Sequence, residues 1–184
     1  MLNRFPRLGF LGTLSIALTA CVTRADFDRA RTIEVAVDAR EAPRRLLHTR
    51  LTIPAGKGRL TLLFPKWIPG EHGPTGPINE MANLRINAGS REIPLHRDDL
   101  NMFAFHCDVP DVDSIEVTFD MLGIVPGGKQ AGHVSSTPNL TVLNWNQVIV
   151  YPAGHPSDDL TFRARLKLPE GWKHGTALKA ENSA

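Results

Sequence analysis

The sequence predicts an all-β protein: an antiparallel β-sandwich-like domain behind an N-terminal export signal. Three observations carry this. Apolar residues alternate with polar ones in segment after segment, the period of a strand with one buried face. Glycine and proline supply 29 of 184 residues, against a usual share of about 12%, and they cluster between those segments. Beyond the first twenty residues no window sustains the apolar period of three to four that a helix needs.

The leader comes first in the chain. Arg4 and Arg7 precede an uncharged run from Leu8 to Ala20 that is too short to span a bilayer as a helix, the pattern of a signal peptide. The run closes on Leu18-Thr19-Ala20-Cys21, which is similar to the lipobox of bacterial lipoproteins, in which the cysteine is lipidated after cleavage. Ordinary cleavage after Thr23-Arg24-Ala25 is the competing reading, with Cys21 lost with the leader. The expected layout is a signal peptide over 1–20, a linker over 21–30 and the β domain over 31–184. Its location is exported: periplasmic, or lipid-anchored to a bacterial membrane through Cys21.

The strands follow in order. Ile33, Val35 and Val37 alternate, then Leu47, Thr49, Leu51 and Ile53, then Leu60, Leu62 and Phe64, with Pro54 to Gly58 between the last two segments as a hairpin-type connection. Leu84 and Ile86 lead through the turn Asn87-Ala88-Gly89-Ser90 to Ile93 and Leu95. Phe103, Phe105, Cys107 and Val109 share one face, as do Ile115, Val117, Phe119 and Met121; Pro110 to Asp113 links them as the clearest hairpin signal in the chain. Residues 140 to 151 form a longer apolar stretch, and Leu160, Phe162, Ala164, Leu166 and Leu168 alternate up to Pro169. Lys66 to Asn79 and Gly123 to Pro138 read as long loops, the usual seat of function on a β scaffold.

Composition excludes several function classes. Without the leader and its two arginines the chain carries 19 basic and 19 acidic residues, so nothing suggests the clustered basic face that nucleic acids require. Cysteines occur at 21 and 107 only, so with Cys21 lipidated or removed no internal disulfide forms.

Catalytic patterns are sparse. A zinc peptidase helix places two histidines four apart with a glutamate beside the first, and none of the seven histidines lies within four residues of another. Cys107 shares a strand face with Phe103 and Phe105, which reads as an inert core thiol. Ser135-Ser136 lacks the glycine-flanked elbow of a serine nucleophile. Asp98-Asp99 and Asp158-Asp159 read as solvated turn residues. The segment most suited to recognition is the loop from Trp67 to Ile78, whose prolines and glycines make it stiff. It presents Trp67, Pro69, Gly70, Glu71 and His72, either to a partner or substrate or, in the plainer reading, with Trp67 anchoring the loop to the core and Glu71-His72 facing water.

Phe64-Pro65-Lys66-Trp67-Ile68-Pro69-Gly70, Leu143-Asn144-Trp145-Asn146, Val150-Tyr151-Pro152-Ala153-Gly154 and Leu168-Pro169-Glu170-Gly171-Trp172 resemble, in order and spacing, the N-terminal domain of the glycyl-aminopeptidase family of zinc metallopeptidases (peptidase family M-sixty-one). The resemblance implies a β domain that precedes a helical catalytic domain carrying a His-Glu-x-x-His zinc site. No catalytic or metal-ligating residue carries over to this chain, and zinc is expected only in that catalytic domain. The expected function is a non-catalytic accessory domain that shapes access to the catalytic cleft, its partner being that catalytic domain or a peptide. The alternative is a free-standing peptide- or protein-binding lipoprotein. The chain stops soon after the last matched motif, so its final strands are expected to be missing.

Overall fold

The computed structural model describes residues 32–124 and 133–179; the leader, Cys21 and the 21–30 linker lie outside them. The described residues form twelve strands: β1 (Thr32–Asp38), β2 (Leu46–Pro54), β3 (Gly58–Leu63), β4 (Met81–Ala88), β5 (Arg91–Ile93), β6 (Leu95–Arg97), β7 (Ala104–Val109), β8 (Ser114–Leu122), β9 (Ser135–Ser136), β10 (Thr141–Val142), β11 (Tyr151–Pro152) and β12 (Thr161–Lys167). Helical content among the described residues is limited to single 3-10 turns. One sheet runs in the order β12-β1-β2-β8-β4-β5, the second in the order β11-β3-β7-β6, and β9 with β10 makes a small hairpin.

The period-two pattern decides which residues face inward. Leu47, Leu51 and Ile53 of β2, Ile115, Val117, Phe119 and Met121 of β8, and Ile33, Val35 and Val37 of β1 are buried, and they join Leu62, Phe105, Cys107 and Val109 of the second sheet in one apolar cluster. Each such side chain contributes about 1.5–3 kcal/mol by leaving water, and the fold is an all-β sandwich held by that shared layer. Cys107 lies within it, and burial pushes its thiol pKa up, consistent with an inert core thiol.

Two connections differ from the sequence expectation. Pro54 to Gly58 and Pro110 to Asp113 do not close hairpins. β2 pairs with β1 and β8, and β3 with β7 and β11, so the first connection passes from one sheet to the other; the second likewise carries β7 into β8 of the facing sheet. Both strands of such a pair point an apolar face at the same core from opposite sides, and alternation looks the same whether the chain turns back beside itself or arches over the edge. The turn at Gly89, whose φ is +61°, does close a hairpin between β4 and β5. A second difference is β12, which lies parallel to β1 in register Ile33↔Phe162, Val35↔Ala164, Val37↔Leu166. The sandwich therefore has one mixed sheet. The apolar stretch 140–151 is not a long strand but two short ones around a 3-10 turn at Trp145–Gln147, and Ser135–Ser136, expected in a loop, is β9.

Candidate functional site

The loop between β3 and β4 owes its path to a few residues. Pro69 and Gly70 occupy the centre of a turn closed by the Glu71 N–H donating to the Ile68 carbonyl at 3.0 Å, with Gly70 at φ +88°; proline then a positive-φ glycine is the type II arrangement. The loop's two ends meet where the Gly76 N–H donates to the Lys66 carbonyl at 3.0 Å. A Cβ on Gly76 would stand 2.0 Å from the Pro65 carbonyl oxygen, so only glycine permits this closure. Ile68 and Ile78 are both buried, and Ile78 joins the apolar core at the far end of the loop.

Trp67 does not play that anchoring part. It is 64% exposed, which removes the plainer reading of its indole as a core anchor. His72, Pro69 and Gly70 are exposed and Glu71 half-buried. Beside them, the Phe64 N–H donates to the Phe103 carbonyl at 2.8 Å, and the Lys66 ammonium sits 5.8 Å from the centre of the Phe103 ring. This sets the 98–103 turn, with Leu100 and Met102 both exposed, at the same end of the second sheet as Trp67. Three large exposed apolar side chains, Trp67, Leu100 and Met102, thus lie on connections at that end of the sheet.

The 98–103 turn is built around one carboxylate. Asp98 accepts the N–H groups of Leu100 and Asn101 through Oδ1 at 2.9 and 2.7 Å, and the ring nitrogen Nε2 of His106 through Oδ2 at 2.9 Å. The His106 bond first, then the two backbone donors, lower its pKa to about 2 from 3.8. Asp98 is therefore more than a solvated turn residue. Because the folded-state pKa lies below the unfolded one, its stabilising effect is present above about pH 4 and lost as pH falls toward 2. Asp98→Asn is expected to flatten the fall in Tm between pH 4 and pH 2 relative to the native chain, as measured by thermal unfolding across that range.

Two further constellations gave no local signal in the sequence. Glu80, in the 3-10 turn Ile78–Glu80 that ends the 65–77 loop, is 7% exposed, and His133 Nδ1 donates to its Oε1 at 2.7 Å. Oε2 of Glu80 has no hydrogen-bond partner among the described residues. Next to His133, the Val134 N–H donates to Oε1 of the fully buried Gln147 at 2.7 Å. The two long loops are joined at this pair. On the outer face of the first sheet, His48 Nδ1 donates to Asp120 Oδ1 at 2.7 Å and Asn83 Nδ2 to Asp120 Oδ2 at 2.6 Å. Asn83 sits at φ +54° where the β4 register shifts, a left-handed position that asparagine tolerates. These pairs span 53, 72 and 37 residues, so spacing rules could not find them.

Among the described residues no group of three or more His, Cys, Asp or Glu side chains is placed to hold a metal ion. The resemblance implies zinc only for the separate catalytic domain, and these residues do not fit it.

The sequence profile of the Peptidase M61 N-terminal domain matches residues 34–184. The chain belongs to that family. Among solved structures, this N-terminal peptidase domain is similar to an aminopeptidase N family protein from Idiomarina loihiensis, with 14% sequence identity and a TM-score of 0.62, over 75% of this chain and 22% of that one. A two-domain M1 zinc metallopeptidase bound to L-tryptophan gives 13% identity and a TM-score of 0.41, over 76% of this chain and 32% of that one. The first likeness supports the fold, and the chain spans about a fifth of that protein's length. No curated protein matches the sequence.

Proposed function

We propose that this chain is the non-catalytic N-terminal domain of an exported zinc aminopeptidase-like protein, and that its Trp67 to Ile78 loop shapes access to a cleft built by a separate catalytic domain. The observation that carries the reading is an exposed tryptophan on a loop held at both feet, in a chain whose family is a peptidase N-terminal domain. A rigid loop presents its side chains without an ordering cost when a partner or substrate arrives. In this reading Trp67, Pro69, Gly70, Glu71 and His72 form the contact surface, zinc belongs to the catalytic domain, and the leader exports the protein, either to the periplasm or to a bacterial membrane through a lipid on Cys21.

Catalytic silence is tested on the purified chain. With zinc supplied, no release of p-nitroaniline from glycyl- or alanyl-p-nitroanilide is expected above the buffer rate. Turnover that a chelator abolishes would place a catalytic centre in this chain and overturn the reading.

A further inference from the structure

We infer that the edge of β12 facing away from β1, unpaired among the described residues, is a docking site for an extended polypeptide strand whose residues alternate between acidic and apolar. This goes beyond the proposed function and stands without it. The Lys167 carbonyl accepts the Ala39 N–H at 2.8 Å, so the backbone groups of Lys167 point at β1. The N–H and C=O of one strand residue point to the same side, and successive residues alternate. Phe162, Ala164 and Leu166 therefore turn their N–H and C=O groups outward, away from β1. β12 is the terminal strand of its sheet among the described residues, and a row of outward groups is a template for another strand.

The side chains say what kind of strand fits. Phe162, Ala164 and Leu166 lie on the core side, beside Ile33, Val35 and Val37, yet Phe162 is 37% exposed, Ala164 is exposed and Leu166 half-buried. The apolar layer continues past β1 without a full cover. On the opposite face Arg163, Arg165 and Lys167 are all exposed. Two acids of β1 face them: Glu34, 2.8 Å from Arg163 and 3.9 Å from Arg165, and Asp38, which the Arg40 guanidinium already holds. The edge is left with an excess of positive charge on one face and uncovered apolar surface on the other. A strand with acids on the first face and aliphatic residues on the second matches both, while its backbone pairs with the outward groups. A membrane or a nucleic acid offers nothing to that backbone row.

The probe is a capped seven-residue peptide of alternating valine and glutamate, equal in length to β12, N-methylated along its far edge so that it cannot stack on itself. Amide exchange followed by NMR on the full chain is expected to slow about tenfold at Phe162, Ala164 and Leu166 when the peptide stands at about ten times its Kd. The odd-numbered amides of β12, already paired to β1, are expected to change little. The valine–lysine counterpart is expected to bind about tenfold more weakly, and Arg163→Glu with Arg165→Glu to reverse that preference. Ala164→Pro removes the central outward donor and leaves the β1 ladder intact, as edge prolines do; it is expected to abolish binding with an otherwise native spectrum. Unchanged exchange at the three amides, or equal binding of both peptides, overturns the inference. So does peptide-free slowing that grows with protein concentration, which would make the occupant a second copy of this chain.

Discussion

Replacing His133 by alanine is expected to destabilise the chain by about 3 kcal/mol, a fall in Tm on the order of 6–12 °C for a domain of this size. Glu80 is nearly inaccessible to water and keeps one carboxylate oxygen without a hydrogen-bond partner among the described residues even in the native fold. His133 compensates the other oxygen. Without the imidazole a buried carboxyl group loses this hydrogen bond, and both long loops lose their common fastening. The control is the double variant Glu80→Leu with His133→Leu. A buried pair replaced by apolar groups of similar volume is often neutral, so the double variant is expected to melt well above His133→Ala. A His133→Ala variant that melts like the native chain would show that Glu80 finds its balance elsewhere.

The second large effect is expected at Gly76. A methyl group there would overlap the Pro65 carbonyl oxygen, a backbone atom that cannot rotate away. Gly76→Ala must push the two ends of the loop apart, break the bond from its own N–H to the Lys66 carbonyl, and disturb the bond from the Ile78 N–H to its carbonyl. The expected cost is about 3 kcal/mol, the upper part of the range for overpacking, with faster amide exchange at Glu71 and Ile78. Gly73→Ala serves as the comparison. The nearest atom to a Cβ there is the Thr75 methyl at 3.8 Å, an ordinary contact, and a change within about 0.5 kcal/mol is expected.

The inward faces of the sandwich were legible because burial on a strand has period two, and Thr49 shows how far this goes. It sits between Leu47 and Leu51 in the alternation and is itself buried, a hydroxyl in an apolar row that the pattern placed correctly. What alternation does not carry is the partner of each strand. Pro54 to Gly58 and Pro110 to Asp113 have the length and composition of hairpin loops but connect sheets, since the apolar face fixes a strand's orientation toward the core and not its neighbour. The β12–β1 pair joins segments about 130 residues apart, and its parallel direction has no signature in either strand.

The loop was legible in part. Pro69-Gly70 announced a turn, and a type II turn is present. Whether Trp67 faced in or out was not decidable from its sequence, because both readings use the same large apolar ring. Exposure settles it: Ile68 is buried and its neighbour Trp67 lies outside. The Glu80–His133 pair was illegible for another reason. It depends on two loops converging, and neither carries a pattern that names the other.

The decisive measurement is the steady-state kinetics of a protein that joins this domain to a catalytic domain, native against Trp67→Ala, with alanyl-p-nitroanilide as substrate. With the exposed indole acting at the cleft surface as proposed, KM is expected to rise several-fold while Tm stays within about 2 °C of native. Unchanged kinetics together with an unchanged Tm would contradict it, and the loop would then have no part in access to the catalytic centre.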